Sequence, residues 1–266
     1  MKFSLSTNIS NIQLEDFTYI VTSNAQRVFD TMLNDFNTGI HNFILVGTYG
    51  TGKSSFLAAF ESDLLNKTNY FFSNKGQFNK YNKFVCKNFV ADYCSLHQLL
   101  SEDLIGDNSY KSIFFDELEK QILSHKKAKE FLVFVIDEFG KTLEHAANHN
   151  PDKELYFLQQ LAEFLNNPKH DNVLLITTLH QNFGSYSKNL KAQQRNEWEK
   201  VKGRFKEIVF AEPIEQLLYL AANKINHSFK EISSINHFNS LFNLAINSKF
   251  VSSNFDIKIA KKIYPL

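Results

Sequence analysis

Arginine is nearly absent from this chain. Among 266 residues there are three, Arg27, Arg195 and Arg204, and lysine supplies the rest of the positive charge. Cysteine is scarce as well, with Cys86 and Cys94 the only two. Two thiols in a chain of this length exclude a disulfide framework, and no Cys/His pairing has the spacing of a structural metal site. A surplus of one charge sign is also missing. With 29 basic and 28 acidic residues the formal net charge is +1, which excludes whole-molecule attraction to nucleic acid or anionic membrane and leaves only local patches for such contacts. No apolar run approaches the ~20 residues that span a bilayer, and the start, MKFSLSTNIS, lacks an apolar signal core. These absences predict a soluble, cytoplasmic protein without membrane contact.

What the chain does have is apolar bulk. Apolar residues make up 43% of it, including 27 phenylalanines, enough for a packed core in one large domain, or one domain with a small appendage. A helix is expected from Val28, Phe29, Met32, Leu33 and Phe36 at helical spacing, with Ser23–Asn24 as its N-cap. NFILVG (42–47) reads as a strand buried on both faces and SSFLAAFESDLL (54–65) as a helix. Residues 66–83 show no clean period and read as a loop. Further strands are expected in FVCKNFVADY (84–93), FLVFVI (131–136), NVLLITT (172–178) and EIVF (207–210). Helical patterns lie between them, the clearest with Leu155, Leu158, Leu161, Phe164 and Leu165 on one stripe after Pro151–Asp152. This alternation predicts an α/β layer with a mostly parallel sheet of five strands. From Pro213 three helical patterns follow without a strand, PIEQLLYLAANKI, INHFNSLFNLAI and FDIKIAKKI. The expected division is a core over 1–212 and a small helical unit over 213–266.

GTYGTGKSS (47–55) fits G-x-x-x-x-G-K-[ST], with Gly47, Gly52, Lys53 and Ser54 at the fixed places. In such a loop, here Gly47, Thr48, Tyr49, Gly50, Thr51 and Gly52, backbone N–H groups wrap a phosphate chain. The helix opening at Lys53, Ser54 and Ser55 offers its N-terminus to the same anion. Lys53 would neutralise β- and γ-phosphates, and the Ser54 hydroxyl would ligate Mg2+. The motif follows a buried strand and opens a helix, which is the context it requires. FLVFVIDEFGK (131–141) ends a strand in two carboxylates. Asp137 would hold Mg2+, directly or through water, and Glu138 would polarise the attacking water. LLITTLHQN (174–182) is a third apolar strand with a polar end. Thr177, Thr178, His180 and Gln181 are candidates to contact the γ-phosphate or the water, and Thr178 is carried among the catalytic residues. His145 and His149 lie four apart, but no third ligand accompanies them, so they read as a solvated pair.

In this order, the phosphate loop, the acidic pair and the polar strand end resemble the AAA+ superfamily of P-loop ATPases over residues 17–266. The resemblance implies a P-loop three-layer sandwich followed by a helical lid. It implies ATP binding, Mg2+-dependent hydrolysis, and a homo-oligomer or larger assembly. It also implies an arginine finger just before the last core strand. VKGRFKEIVF (201–210) sits there, which gives the role to Arg204, with Arg195 in AQQRNEWEK as its competitor. More narrowly, DEFGKTLEHAA, LHQNF and NEWEKVKGRF resemble the N-terminal ATPase modules of large bacterial phage-resistance proteins of BREX type. That implies a fragment of a longer polypeptide in antiviral defence. One departure concerns the lid, where many AAA+ proteins carry a second sensor arginine. No arginine follows Arg204 here, so a lysine (Lys258, Lys261 or Lys262) serves, the residue lies past 266, or this branch lacks it.

A local basic patch is the remaining signal. Between Asp63 and Asp92 there is no carboxylate, while Lys67, Lys75, Lys80, Lys83 and Lys87 alternate with Tyr70, Phe71, Phe72, Phe78 and Tyr81. Cations tracking phosphates and aromatics stacking on bases would contact DNA; core-seeking phenylalanines in a lysine-rich loop are the alternative. Besides hydrolysis, a nucleotide-gated binding switch and a DNA-translocating motor fit the same motifs.

Overall fold

The computed structural model describes residues 9, 18–66, 68–71, 78, 80–104, 106, 111–188, 190–225, 238–251, 256–258 and 260. Its strands are β1 (Asn42–Val46), β2 (Lys83–Val90), β3 (Glu130–Asp137), β4 (Val173–Leu179) and β5 (Lys206–Val209). The helices are α1 (Ser23–Asn37), α2 (Lys53–Leu64), α3 (Leu96–Leu104), α4 (Lys111–Lys127), α5 (Gly140–Asn148), α6 (Pro151–Leu165), α7 (Ala192–Lys202), α8 (Ile214–Ile225) and α9 (Phe238–Asn247). The sheet runs β2-β3-β4-β1-β5, and every neighbouring pair is parallel, where a mostly parallel sheet is expected from sequence.

Parallel strands linked by crossover helices are covered on both faces, which is why the central ones are apolar without alternation. Along β3, Leu132, Phe134 and Ile136 enter one core while Phe131, Val133 and Val135 enter the other. The first core is closed by α3 to α7, with Trp198 and Phe114 among its fully buried rings, and the second by α1 and α2. Each fully buried large apolar side chain contributes about 1.5–3 kcal/mol, so these two layers fix the sheet. The α1 stripe is buried as its spacing predicts, but its N-cap is Thr22, whose Oγ1 accepts from Ala25 N–H at 3.0 Å. Among the described residues no helix is long and apolar enough to cross a membrane.

Residues 68–71, which follow α2, are held by a carboxylate. Asp63, buried at the end of α2, accepts from Thr68 Oγ1 (2.7 Å), Tyr70 N–H (2.8 Å) and Phe71 N–H (2.8 Å). Phe71 stacks on Phe29 with centroids 4.4 Å apart, and Phe78 stacks on Phe36 at 5.3 Å. Both rings are core, so they are not available to stack on bases. Tyr81 is also committed, its hydroxyl donating to Asp171 O at 2.8 Å. Lys80 pairs with Asp171 (3.2 Å) and Lys83 with Glu130 (3.5 Å). Lys67, Phe72 and Lys75 lie outside the described residues.

Glu61 on α2 is 3% exposed. Asn88 Nδ2 donates to its Oε2 at 3.0 Å, while Oε1 has no partner among the described residues. Burial pushes this carboxyl up to about 7 from 4.5, against the opposing pull of the Asn88 bond. The folded state therefore holds the proton more tightly than the unfolded chain. No penalty exists below pH 4.5, stability falls as pH rises from there to 7, and above 7 the full loss is roughly 3 kcal/mol. Glu61→Gln is expected to raise Tm at pH 8 and to leave it unchanged near pH 4, as measured by calorimetry. An equal gain at both values would mean that Glu61 is not the titrating group.

The chain divides into two compact units, Met1–Ala211 and Glu212–Leu266. The second contains α8 and α9. Of FDIKIAKKI only residues 256–258 and 260 are described, and Lys261 and Lys262 lie outside them.

Candidate functional site

The parallel register brings the ends of β1, β3 and β4 to one edge of the sheet, with β4 in the middle. The loop after β1 is anchored there by Gly47 N–H, which donates to Leu179 O at 3.0 Å. A Cβ on Gly47 would lie 2.2 Å from Phe210 O, so the close pass of the loop over the end of β5 requires glycine. At the other end, Gly52 precedes α2 with φ +89°, a left-handed conformation that glycine adopts without strain. The first turn of α2 has no acidic residue, so the N–H groups around Lys53, Ser54 and Ser55 keep their positive field for an anion. Thr51 Oγ1 donates to Thr48 O at 2.9 Å and shapes the turn; Thr48, Tyr49 and Gly50 form its exposed rim.

Lys53 is 5% exposed, and its Nζ donates to Gly47 O (2.6 Å) and Thr48 O (2.9 Å). Burial lowers its pKa, with the charge of Asp137 opposing. The ammonium thus points into the loop and rests on carbonyls that a phosphate can replace. Asp137, the last residue of β3, is buried beside it. Its Oδ2 accepts from Ser54 Oγ (2.8 Å) and from Ile9 N–H (3.3 Å), and its Oδ1 from Thr178 Oγ1 (2.6 Å) and Glu138 N–H (3.1 Å). Ser54 and Asp137 offer two hard oxygens beside the loop. That set fits Mg2+, which takes one or two protein oxygens and fills its octahedron with water and phosphate. Among the described residues no three His, Cys, Asp or Glu side chains converge as an all-protein cage. His145 and His149 stack on each other at 4.5 Å with Tyr93 edge-on to both.

Glu138 adopts φ +57°, a left-handed backbone in a residue with a side chain. Its N–H also donates to Thr178 Oγ1 at 2.9 Å. The Thr178 hydroxyl, a candidate from sequence to contact phosphate or water, thus donates to Asp137 and accepts from Glu138 N–H. Thr177, a candidate of the same kind, donates to Phe43 O at 3.3 Å. Besides Thr178, His180 also lies within electrostatic reach of the charged groups. Burial and then the Lys53 charge lower its pKa, against Glu138 and Asp137, so the ring is neutral at pH 7. It stacks on Tyr49 with centroids 3.4 Å apart, and its Nδ1 has no partner among the described residues. Lys141, one turn on from Glu138, pairs with Glu138 Oε2 at 2.6 Å. The sequence reading missed Tyr49–His180, Lys141 and Ile9. Only Lys141 leaves a signal, its i,i+3 spacing from an acid.

Arg204 lies at the opposite end of the sheet. Its carbonyl accepts from Asn42 Nδ2 (3.5 Å) at the start of β1 and from Asn166 Nδ2 (3.1 Å). The five residues of β1, at ~3.3 Å each, separate it from the 47–52 loop of its own chain by ~16 Å. Its guanidinium donates to Glu163 through Nε (2.7 Å) and Nη2, and to Lys200 O through Nη1 (2.6 Å). Arg195 is exposed on α7, and Arg27 donates to Val209 O at 3.0 Å.

No family model and no curated protein matches the chain. Solved structures do. The ORC2 protein of Aeropyrum pernix in its ADP form is 13% identical, with 95% of this chain and 72% of that one covered and a TM-score of 0.50. The same protein in its ADPNP–ADP complexes is 15% identical, with 80% of this chain covered and a TM-score of 0.49; this chain spans 55% of its length. Domain III of the Thermotoga maritima replication initiation protein DnaA is 12% identical, with 92% and 93% covered and a TM-score of 0.40. The likeness to the ADP-form ORC2 protein is one of fold: the α/β arrangement of this chain, with its five-stranded parallel sheet, is shared with that structure over most of its length.

Proposed function

We propose that this chain is an AAA+-like module that hydrolyses ATP with Mg2+ and is completed in an assembly by Arg204 of a neighbouring copy. The observation that carries the reading is the 2.8 Å bond from Ser54 to Asp137, which joins the two motifs, 83 residues apart in sequence, at the mouth of the phosphate loop. Loop N–H groups from Gly47 to Gly52, with the N-terminus of α2, hold the phosphates. Lys53 exchanges its two carbonyl partners for phosphate oxygens, and Ser54 and Asp137 hold the metal. Bound Mg2+ supplies charge neutralisation on the β- and γ-phosphates. Glu138 accepts a proton from water as the water oxygen bonds to the γ-phosphorus and the β–γ bridging P–O bond breaks, giving ADP and inorganic phosphate. Thr178 holds the Asp137 carboxylate and the Glu138 backbone N–H in register, and His180 follows it at the end of β4.

Lys53→Ala tests the site. It removes a buried ammonium that would make charge-assisted bonds to phosphate, so ATP binding is expected to weaken by about 10- to 100-fold in titration calorimetry. Wild-type affinity in that variant would place the nucleotide elsewhere. A second reading, a nucleotide-gated switch with slow turnover, is favoured by one observation: Glu138 and Arg204 are each paired within their own chain, to Lys141 and Glu163. We further propose a cytoplasmic setting, for which two thiols in a chain of this length speak, and a place within a larger BREX-type defence protein, on the strength of the sequence resemblance. Any DNA contact or translocation would use Lys80, Lys83 and Lys87 as phosphate contacts, without the Phe71 and Phe78 rings.

A further inference from the structure

We propose that Lys141 senses the γ-phosphate: it holds Glu138 while the site lacks ATP and moves to the phosphate when ATP binds, freeing the carboxylate. This rests on the ATPase reading of the same site and adds to it a residue that discriminates ATP from ADP. The Lys141 Nζ lies 2.6 Å from Glu138 Oε2, and its backbone N–H donates to Glu138 O at 3.1 Å, so lysine and acid close one ring. The Glu138 bond raises the Lys141 ammonium above its ordinary value against slight desolvation, and Asp92 and Tyr49 add to the effect. The charge of Lys141 in turn reaches His180. The Lys141 side chain, 46% exposed and in contact with Glu138, is thus within electrostatic reach of the loop after β1 and of the β4 end.

Two other i,i+3 pairs show what an ordinary surface pair looks like in this protein. Lys120–Glu117 (2.6 Å) and Lys200–Glu197 (2.7 Å) leave their acids 38% and 44% exposed. Both acids sit within a regular helix. Glu138 is 27% exposed, precedes α5 in a left-handed conformation and adjoins Asp137. While the ammonium holds Glu138 Oε2 at 2.6 Å, that oxygen is turned toward Lys141 and is not free to receive a water, and the charge-assisted bond must open first. A γ-phosphate arriving between the loop and Glu138 carries more negative charge than one carboxylate and draws the ammonium away. ADP, which ends at the β-phosphate, leaves the pair closed.

The test is equilibrium binding of a non-hydrolysable ATP analogue and of ADP, each with Mg2+, to wild type, Lys141→Gln, Lys141→Arg, Glu138→Gln and the Glu138→Gln/Lys141→Gln double variant. Lys141→Gln is expected to weaken the analogue by ~10-fold and ADP by less than ~2-fold, a ratio that a merely structural role would not move. The same loss is expected when Glu138 is already Gln, and Lys141→Arg should retain most of the preference. An unchanged analogue-to-ADP ratio in Lys141→Gln would make the pair an ordinary surface contact. A loss seen only with Glu138 intact would mean that Lys141 acts on the carboxylate and never touches phosphate; either result overturns the proposal alone. If the wild-type protein binds neither nucleotide, the ATPase reading falls, and this one with it.

Discussion

Replacing Glu138 with glutamine is expected to lower kcat by about 10²- to 10⁴-fold while ATP binding survives. The amide has nearly the shape of the carboxylate and leaves untouched the backbone N–H that bonds Asp137 and Thr178. It cannot accept a proton from water. Asp137 is no substitute, because its two oxygens already take bonds from Ser54, Ile9, Thr178 and Glu138 N–H. His180 is the remaining base within the cluster. Phosphate release by the assembled protein, measured beside nucleotide affinity, distinguishes the two. Turnover that persists in Glu138→Gln and disappears in a His180 variant would transfer the role to the imidazole.

Arg204→Ala is expected to cost ~10³-fold or more in kcat of the assembled protein, with little change in the affinity of a single chain for ATP. The Arg204 carbonyl is held at the far end of β1 from the 47–52 loop of its own chain, so under the proposed reading an arginine finger at that loop would come from another copy. Mixing separates this from a structural role. Chains with Lys53→Ala keep the finger and lose the site, whereas chains with Arg204→Ala do the reverse, so the mixture should recover turnover that neither has alone. An arginine serving only to tie α6 to β5 through Glu163 would show no recovery. Its loss would then appear as a Tm change from one partly exposed ion pair, worth about 0.2–1 kcal/mol.

Much of this architecture is legible in the residues. β1, β3 and β4 are buried on both faces, so NFILV, FLVFVI and NVLLITT stand out as unbroken apolar runs. β2 is less clear because it is an edge strand that carries Lys83, Lys87 and Asn88. The strand is expected as far as Tyr93 yet ends at Val90, where its partner β3 runs out at Asp137. Phe71 and Phe78 look like a stacking surface in one dimension. Phe71 is turned inward beside Asp63, a carboxylate that takes bonds from Thr68 Oγ1 and from the Tyr70 and Phe71 N–H groups, and nothing in the local pattern marks it. The contacts across the site depend on strand order, which a linear chain does not display. Tyr49 meets His180 because β4 lies beside β1, and Thr178 reaches Asp137 because β4 also lies beside β3. Lys141 is visible as a spacing but not as a partner, since the left-handed step at Glu138 interrupts the helical count.

That left-handed step sets fold and chemistry at odds. A non-glycine residue in this conformation costs about 1–2 kcal/mol that glycine would avoid. Selection for stability alone would drift position 138 toward glycine, with asparagine or aspartate as the next most tolerant choices. A glutamate kept there is a recurring cost borne by the folded state, and glycine would relieve it only by deleting the acid. Lys129 and Lys249 carry the same left-handed cost, so laboratory evolution for heat resistance would be expected to accept glycine at those two positions and, if Glu138 is the base proposed above, to accept it at 138 only with loss of turnover.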